Sequence, residues 1–180
     1  MDIIEKIIKE EEFYRSEPYA FCTVDVELPN KKTKRRVLVK HPGSVVIFAV
    51  DDEKRCVMAE QYRFAVRQTL WEVPAGKLDA AAGEDPEQGA RRELEEETGF
   101  IADEWIYLGK VYPTPGILDE VMHFFAAKKL HKTAQNLDDD EFINPRWITM
   151  DELSRRIADG TINDGKTITA FTLARLKNIV

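Results

Sequence analysis

Residues 84–100 of the chain, EDPEQGARRELEEETGF, contain the pattern that decides the fold around them. Asp85 can cap the amino end of a helix, and Pro86 suits the first helical position. Gly99 suits the left-handed residue that often follows the last helical turn. The segment therefore predicts a helix from about Pro86 to Thr98.

The carboxyl end of this predicted helix is strongly acidic. Acidic side chains oppose the negative end of the helix dipole, and Glu93 and Glu97 form a like-charge i,i+4 pair, each effect costing about a few tenths of a kcal/mol. Glu93, Glu96 and Glu97 share one helix face. Converging carboxylates suit Mg²⁺, which prefers oxygen ligands and often binds carboxylates together with substrate phosphates. The alternative is a solvated face with ion pairs such as that between Arg92 and Glu96.

The segments around the helix predict a mixed sheet packed between helices. Apolar alternation or apolar runs indicate strands at 19–28, 36–39, 45–50, 56–62, 71–73, 105–111, 121–127 and 146–148, and helices at about 150–158 and 166–177. The runs 45–50 and 56–62 are typical of central strands buried on both faces and joined by a tight turn. Residues 1–15 fit either a helix or a strand. The fold class expected is α/β (α+β).

Composition limits the classes of function. The chain has 180 residues, enough for one domain with a sizeable core, and a formal net charge of −7 that disfavours nucleic acid as a partner. No apolar run reaches the roughly 18–20 residues that would span a membrane, and no signal-peptide order is found, so we expect a cytoplasmic protein. Cys22 and Cys56 suit buried reduced thiols, and the three histidines lack ligand spacing.

The acidic helix and its flanks resemble the Nudix box. That pattern is a glycine, five residues, a glutamate, seven residues, and then Arg-Glu-apolar-x-Glu-Glu-x-Gly-apolar, and residues 84–100 match every defined position. Upstream the match departs, because seven residues separate Gly76 from Glu84, as if two alanines among residues 80–82 had been added. The longer loop keeps the helix register and bears on where the Ala75 carbonyl lies.

The resemblance implies a fold, a cofactor and a set of site residues. It implies a Nudix-type α/β/α sandwich with a mixed central sheet, acting with Mg²⁺ or Mn²⁺. Metal ligands would be the Ala75 carbonyl, Glu93, Glu97 and, as a third carboxylate ligand or a close neighbour of the ligands, Glu96. Arg92 would hold the glutamates in place, and with Glu96 it counts among the catalytic residues. Glu84 would support the same network or serve the fold alone.

Segments outside the box resemble the ADP-ribose pyrophosphatase subfamily. Pro115 stands fifteen residues after Phe100 and precedes a Gly and an Asp-Glu pair, which makes Glu120 a candidate ribose or metal contact; a solvent-facing residue at a strand start is the alternative. Arg63, in Gln-Tyr-Arg, is a candidate phosphate clamp, although an exposed arginine at a strand end fits as well. Glu72 falls in the similar segment before the box and joins the candidate substrate-binding residues.

The resemblance also implies a general base on a loop after the box. Asp138, Asp139, Asp140 and Glu141 occupy that loop, and Glu141 is our choice, with a solvated acidic turn as the alternative.

The function expected is hydrolysis of ADP-ribose by water to AMP and ribose 5-phosphate. The alternatives are hydrolysis of another nucleoside-diphosphate sugar, such as GDP-mannose, and a non-catalytic domain that senses nucleotides. We expect a single domain over residues 1–180, in which 43–180 form the catalytic core. Residues 1–42 would form an N-terminal strand segment that reaches across a homodimer, which favours the strand interpretation of residues 1–15.

Overall fold

The computed structural model describes residues 2–79 and 81–180. The chain forms two compact units. The smaller unit comprises Met1–Gly43 with Tyr112–Val121, and the larger comprises Ser44–Val111 with Met122–Val180. The strands are β1 (Lys6–Ser16), β2 (Tyr19–Glu27), β3 (Thr33–Lys40), β4 (Ser44–Ala49), β5 (Arg55–Arg63), β6 (Gln68–Glu72), β7 (Ala75–Lys77), β8 (Phe100–Val111), β9 (Met122–Lys132) and β10 (Ile143–Thr149). The helices are α1 (Pro86–Thr98), α2 (Met150–Ala158) and α3 (Gly165–Leu176).

The smaller unit is an antiparallel sheet in the order β1-β2-β3. The alternation that predicts a strand at 19–28 appears in β2, where Cys22, Val24 and Val26 are buried. Every residue of β1 is exposed. The pairing of β1 with β2 shows that the ambiguous segment 1–15 is a strand from Lys6 onward. Strand β3 and the turn before it carry five basic residues, Lys31, Lys32, Lys34, Arg35 and Arg36, of which Arg35 forms an ion pair with Asp25.

The larger unit contains a mixed sheet, β7-β4-β9-β8, and an antiparallel sheet, β10-β5-β6. The parallel pair is β4 with β9. The two apolar runs are central strands as predicted, but they belong to different sheets. Both edges of β4 are occupied by β7 and β9, so β5 pairs instead with β10 and β6. An isolated antiparallel bridge between Val50 and Cys56 lies where the chain passes from β4 to β5.

Helices cover both faces of the mixed sheet, which confirms the predicted α/β/α class. Because side chains alternate along a strand, β4 contributes to two apolar clusters. One cluster joins Val45, Ile47 and Ala49 to Ala90 and Leu94 of α1. The other joins Val46 and Phe48 to residues of α3, namely Ala170, Phe171 and Ala174. The β4 strand is therefore the buried centre of a three-layer core.

Several local expectations agree with the structure. The bounds of α1 and α2 match the predicted spans, and α3 begins and ends one residue earlier than expected. Cys22 and Cys56 are buried free thiols. Within the described ranges, no helix is both long and apolar enough to span a bilayer.

Candidate active site

Helix α1 is closed at both ends by the residues that predicted it. The Asp85 carboxylate accepts hydrogen bonds from the amides of Glu87 and Gln88, and the Gln88 side chain completes a capping box. Gly99 has a φ of 69° and donates its amide to the Glu95 carbonyl. These caps set the register in which the glutamates face the sheet.

The carbonyls at the carboxyl end of α1 bind the segment that leads to the acidic loop. The amides of Thr133 and Asn136 donate to the carbonyls of Gly99 and Glu96, at 2.7 and 3.0 Å. The Gln135 side chain donates to the Glu97 carbonyl at 2.7 Å and to the carbonyl of Ile143 at 3.1 Å. Because both ends of the stretch 136–142 are tied in this way, the acidic loop starts and ends beside the glutamates.

Glu97 is buried at the centre of the site. Its Oε2 accepts a hydrogen bond of 3.1 Å from the amide of Ala75 in β7. The pKa of Glu97 is raised to about 8, mainly by burial and then by the charge of Glu93, with a smaller contribution from Glu141; the Ala75 amide and the charge of Lys166 lower it. The charged form of Glu97 is thus disfavoured by burial and by neighbouring carboxylates, and a bound cation would stabilise it.

Glu93 is the second buried carboxylate, and it lies against Gly76. A Cβ built on Gly76 would come within 2.0 Å of the Glu93 carboxyl group. The pKa of Glu93 is raised to about 7, mainly by burial, with smaller raising contributions from Glu96 and Glu141 and a lowering contribution from Arg92. Glycine at position 76 is therefore what lets the Glu93 carboxylate reach the β7 backbone.

Arg92 holds the acidic face together at its rim. Its Nε donates to Glu84 at 2.8 Å, and its Nη1 donates to Glu93 and to Glu96, each at 2.8 Å. The Nη2 group reaches the carbonyl of Lys77 at 3.1 Å. The side chains of Arg92 and Glu96 are 36% and 33% exposed, so this rim of the acidic face meets solvent, whereas the Glu93 side chain beside it is 10% exposed.

The loop before α1 carries the two-residue lengthening, and Glu84 at its end is hydrogen-bonded to both Asp79 and Arg92. The Asp79 amide donates to the Glu84 carboxylate at 2.9 Å, and the Glu84 amide donates to the Asp79 carbonyl at 3.1 Å. These two bonds close the loop at its base, where the Ala82 amide also donates to the Asp79 carboxylate at 3.0 Å; Ala81 and Ala82 are exposed. Ala80, one of the three alanines in question, lies outside the described residues.

Glu141 is the acidic loop residue whose charge reaches the buried carboxylates. It contributes to raising the pKa of both Glu93 and Glu97. Its own pKa is raised, mainly by burial and then by the charge of Asp138, with smaller contributions from Asp140 and Glu96. Asp138, Asp139 and Asp140 are exposed, in contrast to Glu141.

The donor set fits a hard divalent cation. No three His, Cys, Asp or Glu side chains in the described ranges already form a metal-binding group. Glu93 and Glu97 are nevertheless adjacent buried carboxylates whose pKa values are raised, mainly by burial and also by neighbouring carboxylates. A bound cation would favour their charged forms, and oxygen donors are those that Mg²⁺ and Mn²⁺ accept.

A second ionic group lies at the end of β6. Glu72 has only 2% of its side chain exposed, and it accepts a forked pair of hydrogen bonds from Arg63, at 2.8 and 2.6 Å. Lys166 also donates to Glu72 and lies 3.2 Å from Asp164. Burial raises the pKa of Glu72, but the hydrogen bond from Arg63 and the charge of Lys166 outweigh it, so the net pKa is lowered.

Two candidate substrate-binding residues, Glu72 and Arg63, are partners of each other in this second ionic group. Glu72 is 2% exposed and bound by two cationic side chains, whereas Arg63 keeps 41% of its side chain exposed. Sequence reasoning missed Lys166 and Thr167. Asp164 marks the start of a helix in the sequence, but no feature of the neighbouring sequence indicates that this helix end contacts Glu72, 94 residues away from Lys166.

Glu120 belongs to the smaller unit. It is buried, and its Oε1 lies 3.7 Å from Nε2 of His41. The neighbouring Asp119 accepts a 2.8 Å hydrogen bond from the His41 amide. Glu120 is thus a buried residue and not a solvent-facing residue at a strand start.

Comparisons with known proteins agree with this geometry. A family model described as the NUDIX domain matches residues 40–171. The chain is 41% identical over 175 residues to a methanol dehydrogenase activator of Bacillus methanolicus, covering 96% of this chain and 94% of that protein. It is 38% identical over 175 residues to an ADP-ribose pyrophosphatase of Bacillus subtilis (strain 168), with coverage of 96% and 94%.

A solved structure shares the fold. It is described as an ADP compounds hydrolase and superposes with a TM-score of 0.82 at 21% identity, covering 95% of this chain and 92% of that chain. The family match extends over most of the chain and contains the whole acidic helix. The resemblance drawn from residues 84–100 is confirmed, and the chain belongs to the Nudix family.

Proposed function

We propose that the protein hydrolyses ADP-ribose to AMP and ribose 5-phosphate. The observation that carries the proposal is the burial of Glu93 and Glu97 side by side against Ala75 and Gly76. A Nudix chain with this site, similar over nearly its full length to an ADP-ribose pyrophosphatase, is best explained as an enzyme of the same substrate class.

The buried carboxylates would hold the cofactor. Glu93 and Glu97, with Glu96 and the Ala75 carbonyl, would bind Mg²⁺ or Mn²⁺, which supplies charge neutralisation at the diphosphate and activation of water. Arg92 restrains Glu93 and Glu96 through its two hydrogen bonds from Nη1. The carboxylates of Glu93 and Glu96 would then already be held in position before substrate binds.

The remaining residues would bind substrate and accept a proton. Arg63 uses Nε and Nη2 on Glu72, which leaves Nη1 for a phosphate oxygen. Glu141 would take a proton from the attacking water, since its raised pKa keeps it basic enough to accept one. Water adds to one phosphorus and the bridging P–O bond breaks, giving the two monophosphates. Glu72 would act on substrate through Arg63.

Product analysis tests the proposal. Purified protein is incubated with ADP-ribose and either Mg²⁺ or Mn²⁺, and the products are separated by liquid chromatography, with GDP-mannose and other nucleoside-diphosphate sugars run in parallel. Equal amounts of AMP and ribose 5-phosphate are expected, with ADP-ribose giving the highest kcat/KM. Faster turnover of GDP-mannose would reassign the substrate. Tight metal-dependent binding without AMP formation would identify a sensor instead.

The assembly and location are also proposals. We propose a homodimer in which residues 1–42 of one protomer reach the partner and residues 43–180 form the catalytic core, because β1 exposes apolar side chains along its length. The two free buried cysteines are consistent with the reducing cytoplasm.

A further inference from the structure

The first turn of α3 is built around a buried threonine. Asp164 caps the helix and accepts hydrogen bonds from the Thr167 amide at 2.9 Å and from its hydroxyl at 2.6 Å. The Thr167 hydroxyl oxygen in turn accepts the Val73 amide at 2.9 Å. Thr167 is fully buried, so this hydroxyl is the internal partner of a backbone donor that has no access to water.

Lys166 fastens the same turn to the residue before Val73. Its ammonium group binds Glu72 and Asp164 and is only 11% exposed. Both ends of the Glu72–Val73 peptide are thereby tied to α3, one through a side chain and one through the backbone. The contacts join residues 94 positions apart in the chain, so they are a feature of the tertiary fold alone.

The anchored peptide leads directly into the wall of the acidic site. The Pro74 carbonyl accepts the Ile47 amide at 2.8 Å, which keeps the segment against β4. The next residue, Ala75, donates to Glu97, and Gly76 receives the Glu93 carboxylate. Two residues of chain, a span of about 7 Å, separate the anchor at Val73 from the contact with Glu97.

We propose that Thr167 and Lys166 are positioning residues for the metal site, acting through residues 72–76. The inference rests on the proposed function, since it gives α3 a role in that same site. Neither side chain is required to touch substrate. Their contribution is to fix the backbone against which Glu97 and Glu93 are aligned, and misplacement of such groups by about 1 Å can cost 100-fold in rate.

A positioning role for Lys166 and a role through its charge alone predict opposite effects on cation binding when the ammonium group is removed. Its charge lies near enough to Glu97 to lower that pKa. If the charge alone mattered, its removal would leave the site more negative and tighten the binding of a cation. If position matters, removal releases Glu72 and the segment behind it, and cation binding weakens.

Thr167 offers a neutral test with a matched control. In Thr167→Val the Val73 amide loses its acceptor, whereas Thr167→Ser keeps the hydroxyl. Thr172→Val on the same helix removes only a hydroxyl bonded to the Ile168 carbonyl on the exposed side. Amide exchange of residues 73 and 75 is measured in metal-free protein, Mn²⁺ affinity by calorimetry, and kcat and KM with ADP-ribose.

For Thr167→Val we expect faster exchange at both amides, roughly 10–100-fold weaker Mn²⁺ binding and a lower kcat. Thr167→Ser and Thr172→Val should behave as wild type. If Thr167→Val exchanges faster but binds Mn²⁺ with unchanged affinity, the role of Thr167 is purely structural and the proposal fails.

Lys166→Met decides the matter independently, including where Thr167→Val does not fold. We expect weaker Mn²⁺ binding than in wild type and in the exposed control Lys177→Met; unchanged or tighter binding overturns the proposal. Because exchange and Mn²⁺ affinity need no substrate, the proposal can stand in a protein that fails to hydrolyse ADP-ribose. It can equally fail in one that does hydrolyse it.

Discussion

The carboxylate of Glu93 occupies the place where a side chain at residue 76 would begin. A Cβ on Gly76 would lie 2.0 Å from Cδ of Glu93, closer than any real contact, and the obstructing atoms belong to a buried side chain. The glycine and the glutamate are therefore a matched pair, one on β7 and the other on α1. Their contact ties the two elements of the candidate metal site together.

Gly76→Ala should displace Glu93 and damage the site more than the fold. We expect kcat to fall on the order of 100-fold and Mn²⁺ affinity to drop, because the carboxylate can no longer lie against β7. Steady-state kinetics and calorimetry measure both. Gly165→Ala is the control, since a Cβ there meets nothing within 4 Å. Equal kinetics in the two variants would separate Gly76 from the site.

Glu97→Gln should reduce turnover by roughly two orders of magnitude or more while the protein stays folded. The amide oxygen can still accept the Ala75 amide, and the neutral side chain removes a charge that burial disfavours. Kinetics and thermal unfolding of metal-free protein at pH 8.5 test this, with an unchanged or higher Tm expected. Glu95→Gln, on the exposed face of α1, should match wild type in both. Full activity of Glu97→Gln contradicts the assignment.

The stability of the metal-free protein should fall as pH rises from about 5 to 8.5. The folded-state pKa values of Glu93 and Glu97 are about 7 and about 8, above the ordinary value of 4.5. Stability from their protonated forms is thus fully present below pH 4.5 and is lost as pH rises through 7 and 8. Thermal unfolding with a chelator present, at fixed ionic strength, measures the slope.

Two comparisons test the source of that slope. Glu97→Gln should flatten it, and Mg²⁺ should raise Tm more at pH 8.5 than at pH 6, since the cation binds the charged carboxylates. A Mg²⁺ effect that is independent of pH would place the cation elsewhere.

Glu141→Gln should lower kcat by about 10²–10⁴-fold with little change in Tm, the range typical of a lost general base. Asp139→Asn is the matched control, because it removes an exposed carboxylate from the same loop. Rates are measured at saturating ADP-ribose and Mg²⁺. A large loss in Asp139→Asn with near-normal Glu141→Gln would transfer the role to the neighbouring carboxylate.

The mass in solution should be twice the 20.7 kDa of one chain. Ile7 and Phe13 of β1 are 68% and 62% exposed, and burying such side chains between two copies would stabilise a dimer. Light scattering after gel filtration should show that Ile7→Lys with Phe13→Lys favours the monomer, whereas Ile101→Lys on β8 should not. A wild-type protein that is monomeric in solution would contradict the proposed homodimer.

The sequence alone determined those features that depend on neighbours a few residues away. The bounds of α1 followed from Asp85, Pro86 and Gly99, because caps act within one helical turn. The shared face of Glu93, Glu96 and Glu97 followed from helical periodicity, and the buried residues of β2 from alternation. The family followed from the same local spacing.

Only the tertiary structure decided what those elements meet. The Ala75 amide and Glu97 are 22 residues apart, and Lys166 and Glu72 are 94 apart. The division of β4 and β5 between two sheets likewise depends on which strands fill their edges. Such pairings are chosen by packing of the whole core and by the need to give buried donors and charges a partner, and neither requirement is written in a short stretch of chain.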